Sequence, residues 1–294
     1  MKIMERPKEE KNIILSLILI SINIIYATIC YTLIYPNIDS DTFNKSTYYL
    51  IRADFFIAFL PLNIITFIFF MKFGKLTFSE IGLKKSGFFK AFIFVFLIWW
   101  STQLFYFYTN LVLQITPLTK PYLSNPIALP YFLGEFIVEF LGNSLFEEIL
   151  YRGVFFTQLF IYIKKKGSYS TEETQILISI LISQCLFALV HIPNRFLSGF
   201  YTIDEAIIGI ITPFIFGIFI AFVYYLSNNL FICIGFHGLG NIGISIFSTV
   251  FPPTQWPLYA IFFLIFFYTI FSVKTIEREF DNKLKNKGNL IDKS

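Results

Sequence analysis

The sequence predicts an all-α polytopic membrane protein, a transmembrane bundle of about eight helices forming a single domain over 1–294. Three observations predict it. Of the 294 residues, 56% are hydrophobic and only 14% are charged, and the mean hydropathy is +0.68, too little charge to wet the surface of a soluble domain of this size. Apolar runs of about 20 residues, the length a helix needs to cross a bilayer, recur along the chain. Lys and Arg gather in alternate connections between those runs, as membrane topology demands.

The expected spans are 12–34, 53–71, 91–113, 131–160, 174–191, 204–226, 230–249 and 257–273. The first is too long for the apolar region of a signal peptide, and no small-x-small cleavage site follows it, so it reads as a span. The fourth exceeds what a bilayer requires and carries Glu135, Glu139, Glu147, Glu148 and Arg152, so it is expected to tilt or to run beyond the membrane surface. Three prolines in 114–130 mark a loop. The forty Phe and seventeen Tyr suit a lipid-facing surface with aromatic belts at its interfaces.

Basic residues precede the first span (Lys2, Arg6, Lys8, Lys11) and fill the second connection (Lys72, Lys75, Lys84, Lys85, Lys90). They recur in the fourth connection (Lys164, Lys165, Lys166) and throughout a basic tail at 274–294. The opposite side holds only Lys45, Arg52, Lys120 and Arg195. The positive-inside rule then puts both termini in the cytoplasm, which requires an even number of spans. A net charge of +4 follows from these topogenic lysines and gives no nucleic-acid patch. Cys30, Cys185 and Cys233 lie far apart within apolar runs. Without a CxxC pair they read as buried packing residues, not disulfides or metal thiolates.

Charge within a bilayer costs about 2.5–3.5 kcal/mol per residue on insertion scales, so the groups that bear it mark cavities and sites. Three stretches within 131–250 stand out. In the first, Phe146 to Gly153, Glu148 and Arg152 are one helical turn apart and can pair, leaving Glu147 free for another partner. Glu135, Glu139 and Asn143 step back from Glu147 at intervals of four, a polar stripe that would also serve as a simple helix–helix lock. The second stretch ends the fifth span with Phe187 and His191. The third holds His237 and Asn241 on one helical face, with Gly238, Gly240 and Gly243 thinning the helix for close packing. His191 and His237 are the only two histidines of the chain, and both sit in apolar spans, which argues for one shared site. Glu147 precedes Lys164 by 17 residues and His191 follows Thr174 by 17. At 1.5 Å per residue both groups lie about 25 Å from the same basic loop, whereas His237 is expected to lie shallower.

A carboxylate and an imidazole that converge on water form a hydrolytic pair. Glu147 would take the proton while His191 fixes the water, and His237 and Asn241 offer donors for an oxyanion. Other designs fail on spacing: an HExxH zinc helix needs histidines four apart, and no GxSxG elbow or intramembrane aspartate pair is present.

These stretches resemble the EExxxR, FxxxH and HxxxN motifs of the CPBP (CAAX protease and bacteriocin-processing, or Abi) family, whose eukaryotic members are the type II CAAX prenyl endopeptidases. The matching residues are Glu147, Glu148 and Arg152; Phe187 and His191; and His237 and Asn241. The resemblance implies an α-helical intramembrane endopeptidase acting on a membrane-associated or lipid-modified peptide. Glu147, His191, His237 and Asn241 would be catalytic, with Glu148, Arg152 and Phe187 supporting them. Such proteins are often named metalloproteases, so a zinc ion on Glu147, His191 and His237 is the alternative to the metal-free reading, which assigns every residue including Asn241. In the plasma membrane of a bacterium, a bacteriocin-like or signalling peptide is the expected substrate. A bacteriocin-immunity or partner-binding role without turnover and a proton-coupled transporter are the competing readings. Immunity that survives Glu147→Ala would favour the former, and broken helices in symmetric halves the latter.

Overall fold

The computed structural model describes residues 13–114, 128–167, 171–199, 201–242 and 246–247. By internal contacts the chain falls into two units, Met1–Thr249 and Val250–Ser294, and every described residue lies in the first.

The described part is a helical membrane bundle. Five helical runs are long and apolar enough to cross a bilayer: Ile13–Asn37, Phe55–Phe73, Lys85–Val112, Glu172–Leu197 and Ile203–Ser227. They correspond to the expected first, second, third, fifth and sixth spans. Their apolar side chains face outward in large part, with Phe89, Phe92, Leu97, Ile208 and Ile215 more than two-fifths exposed, as lipid contact requires. The expected eighth span and the basic tail lie outside the described residues, as does most of the loop at 114–130.

In chain order, α1 (Ile13–Ile29) continues through a π-helical turn at Cys30–Ile34. A short helix α2 (Ser40–Ser46), capped by Asp39, precedes the second span, whose α-helical centre is α3 (Leu60–Ile68). The third span is α4 (Lys85–Val112). The expected fourth span is a single helical run over 128–166. It comprises α5 (Ala128–Phe136), a π segment Ile137–Asn143, α6 (Ser144–Glu147), a second π segment Glu148–Phe156, and α7 (Thr157–Lys166). Gly167, with φ 62°, ends it and donates its N–H to the Lys164 carbonyl, a left-handed cap that glycine adopts without strain. Then follow α8 (Glu172–Leu189), α9 (Ile192–Leu197), α10 (Ile203–Ser227) and α11 (Leu230–Ile242). At 13 residues α11 covers only the first part of the expected seventh span.

The run 128–166 is the spine of the bundle. From Glu148 to Phe160 every residue is buried, and α1, α8, α10 and α11 pack around the π segment there. Its core includes Leu150, Tyr151 and Phe155 against Leu19, Ile20 and Phe187. Of the three thiols, Cys30 and Cys233 are buried as expected, but Cys185 is exposed on α8. Its neighbours Leu181, Ile182 and Leu189 are exposed too, so that face meets lipid.

One departure from the expected depths matters for the site. The turn between α10 and α11 does not reach the level of the lysine loop. Asn228 is buried and left-handed (φ 46°), Leu230 donates its N–H to the Gly82 carbonyl at 3.1 Å, and Gly153 lies against Leu230 and Ile81. Since Gly153 precedes Lys164 by 11 residues, the turn is recessed by about 16 Å along the spine. His237, two helical turns further on, is therefore carried to the level of Glu147 and Glu148. Gly82 enables this. It holds φ +83°, and a Cβ there would sit 3.0 Å from the Asn228 carbonyl oxygen and 3.1 Å from the Leu230 nitrogen, both backbone atoms. Gly82→Ala is expected to lose about 1–3 kcal/mol of stability, read as a lowered Tm of the purified protein in detergent.

Candidate active site

Successive residues of an α-helix diverge by about 100°, yet Glu147 and Glu148 serve one partner. They do so because an imidazole presents two nitrogens in different directions. His237 meets Glu148 through Nδ1, 2.7 Å from Oε1, and Glu147 through Nε2, 3.4 Å from Oε2. The two acidic residues lie at the junction of α6 with the second π segment, and π turns inside helices occur frequently at functional sites.

Glu148 and Arg152 are both fully buried, and the Arg152 guanidinium donates to Glu148 Oε1 at 3.0 Å. A second donor of the same guanidinium reaches Gln184 Oε1 at 2.9 Å, and its carbon lies 4.2 Å from the Phe187 ring centroid. Glu148 thus accepts from Arg152 and His237 together. Because an ionised carboxylate only accepts, Nδ1 of His237 carries a proton. Nε2 faces Glu147 Oε2 at 3.4 Å, an ion-pair distance when the imidazole is protonated. Glu147 Oε2 is otherwise buried without a hydrogen-bond partner, while the side chain keeps 13% of its surface.

His191 ends the helical turn after α8. Its Nδ1 lies 2.8 Å from the Phe187 carbonyl oxygen. A carbonyl cannot donate, so Nδ1 bears the proton and the Nε2 lone pair is left for another partner. The Phe187 ring stands edge-on to both histidines, at 5.0 Å from His191 and 6.2 Å from His237. Among the described residues no ion pair joins Glu147 to His191; the direct carboxylate–imidazole contact of Glu147 is with His237.

Asn241 lies one turn beyond His237 on α11 and donates its Nδ2 to Glu139 Oε2 at 2.9 Å. Asn143 donates to the same oxygen at 3.2 Å. The polar stripe of the spine is therefore divided among partners. Glu135 pairs with Arg52, which also binds Asp54 at 2.7 Å; Glu139 takes the two asparagines, and Glu147 takes His237. Of the three thin-face glycines, Gly238 lies under Phe140, where a Cβ would come within 2.9 Å of the ring. Gly243 is outside the described residues.

Four contributors escaped the motif reading. Gln184 completes the Arg152 fork; the signal for it was a polar side chain within an apolar span, seven residues before His191. Gly217 on α10 packs so closely that a Cβ there would lie 2.5 Å from Gln184 Oε1 and 3.1 Å from Arg152 Nη2. Asn23 donates to the Tyr151 hydroxyl at 3.0 Å, anchoring α1 beside the site. Arg52 had no sequence signal, since its partner Glu135 is 83 residues away.

A zinc ion can be tested against these positions. Glu147 Oε2 and His237 Nε2, 3.4 Å apart, could form one edge of a tetrahedron with bonds near 2.0–2.2 Å. His191 does not join them: among the described residues no three His, Cys, Asp or Glu side chains converge as a metal-holding group.

Residues 129–243 match the family described as type II CAAX prenyl endopeptidase Rce1-like. The matched segment spans the helical run that carries Glu147, together with α8, α10 and α11. No curated protein and no solved structure matches the chain.

Proposed function

We propose, from the membership of residues 129–243 in the Rce1-like CAAX endopeptidase family, that this chain hydrolyses a peptide bond in a membrane-associated, lipid-modified peptide. A prenylated peptide is the substrate class that the family name supplies. The observation that carries the reading is the facing pair Glu147 Oε2 and His237 Nε2, backed by the fully buried Glu148–Arg152 pair.

In the proposed cycle Nε2 of His237 carries a proton and Glu147 is ionised. Glu147 removes a proton from a water molecule that His191 orients through its Nε2 lone pair. The resulting hydroxide attacks the scissile carbonyl carbon, and its oxygen becomes an oxyanion. The Nε2–H of His237 and the amide N–H of Asn241 donate to that oxyanion. The C–N bond then breaks as the proton held by Glu147 passes to the departing amine. Glu148 keeps the His237 ring in its tautomer and orientation, as carboxylates behind functional imidazoles do, and Arg152 holds Glu148 in turn.

The test is a panel of peptides ending in Cys-aliphatic-aliphatic-X, farnesylated or bare, incubated with purified, metal-stripped protein. Cleavage of a farnesylated member is expected to survive a zinc chelator. If cleavage stops with chelator and returns with zinc, the metal-free chemistry is wrong. If the protein cleaves no lipidated member, the hydrolytic reading falls.

A further inference from the structure

Glu139 belongs to none of the motifs, yet its carboxylate accepts a hydrogen bond from Asn241 and so links the spine to α11. Among the described residues no Lys or Arg pairs with it, so its charge bears the expense of a position in an apolar run without a compensating cation. Its Oε2 instead collects two amide donors, Asn143 from its own helix at 3.2 Å and Asn241 from α11 at 2.9 Å. The approach of α11 that makes this possible depends on Gly238 lying directly against Phe140, the residue next to Glu139.

We propose that Glu139 is a positioning residue for the hydrolysis described above, fixing the amide of Asn241 with its nitrogen presented to the site. The inference rests on that hydrolytic reading. A side-chain amide has one donating and one accepting end, and rotation by 180° exchanges them. An ionised carboxylate only accepts, so it holds the NH2 group and turns Oδ1 away. The nitrogen has a second hydrogen, which remains for the oxyanion. Without Glu139 the amide is free to turn over and offer an oxygen, which repels a developing negative charge where a donor is needed. Asn143 donates to the same oxygen from the spine's own helix and so helps to hold the acceptor in place.

The experiment uses the panel peptide that the full-length protein turns over fastest, with kcat, KM and Tm measured for each variant. Glu139→Ala is expected to lower kcat by about 10- to 100-fold, the range for partners that orient a functional group, with KM changed by less than about threefold. Glu139→Gln, which keeps an acceptor, loses less. The decisive variant is the exchange Glu139→Gln with Asn241→Asp, which rebuilds the hydrogen bond with its donor on the opposite side. Tm is expected to recover relative to Asn241→Asp alone, while kcat does not, because an aspartate has no N–H for the oxyanion. Recovery of kcat along with Tm would make the contact a helix–helix lock and overturn the proposal, as would full turnover by Glu139→Ala. With Glu147→Gln inactive, full turnover by Glu139→Ala removes the role of Glu139, and recovery of kcat in the exchange removes the oxyanion role of Asn241 with it; full turnover by Glu147→Gln removes the hydrolytic reading itself.

Discussion

Glu147→Gln is expected to abolish peptide cleavage, lowering kcat by about 10²- to 10⁴-fold, the contribution of a positioned general base. Glutamine matches the carboxylate in size but cannot take a proton from water. The change should leave the fold intact, because Glu147 Oε2 gives up only its 3.4 Å contact with His237 and the fully buried ion pair behind it belongs to Glu148. Initial rates on a farnesylated peptide, with Tm as the control for folding, check both halves. Retention of more than about a tenth of the activity would mean that another group generates the nucleophile. A drop in Tm as large as the drop in rate would mean that Glu147 holds the bundle together and does no chemistry.

Arg152→Met is expected to produce the largest loss of stability from a single substitution. Arg152 is fully buried and divides its guanidinium between Glu148 at 3.0 Å and Gln184 at 2.9 Å, with the Phe187 ring beneath it. Removing one partner of a buried ion pair strands the other, at about 3–5 kcal/mol. Methionine fills the volume, so the penalty is mainly electrostatic. Adding Glu148→Gln should therefore recover part of the lost Tm, since the stranded carboxylate is gone, although His237 loses its anchor and activity stays low. If the double variant is no more stable than Arg152→Met, the loss comes from packing. Lysine is a poor substitute here: a point charge cannot reach Glu148 and Gln184 at once as a planar fork does.

Much of this fold was legible because a bilayer makes sequence unusually explicit. Long apolar runs announced five spans to within about six residues at either end, and the intervals of four from Glu135 to Glu147 announced a polar face. What a linear pattern cannot carry is depth and partner. Spacing alone puts His237 shallow, because the Ser227–Asn229 connection is short and polar and reads as surface. The recess of that turn depends on Gly82, a residue 148 positions from Leu230 in sequence. Equal distances from the lysine loop put Glu147 and His191 at one depth, but spacing does not reveal the direct contact of Glu147 with His237. The spacing of Glu148 and Arg152 is local and was readable; Gln184, Gly217 and Glu139 contribute through contacts between helices, and only packing brings them in.

The placing of His237 Nε2 opposite Glu147 Oε2 has an electrical consequence if one proton belongs to the pair, as in the proposed cycle. With Arg152 and Glu148 cancelling, the four groups sum to zero whether the proton sits on nitrogen or on oxygen. In the proposed cycle, generating the nucleophile and releasing the amine moves protons over a few ångströms and creates no lasting ion in the lipid. A transmembrane voltage is worth about 2.3 kcal/mol per 100 mV for a charge that crosses the whole membrane. Here it has no such charge to drive, so turnover in an energised cell and in a depolarised one should rest on the same chemistry.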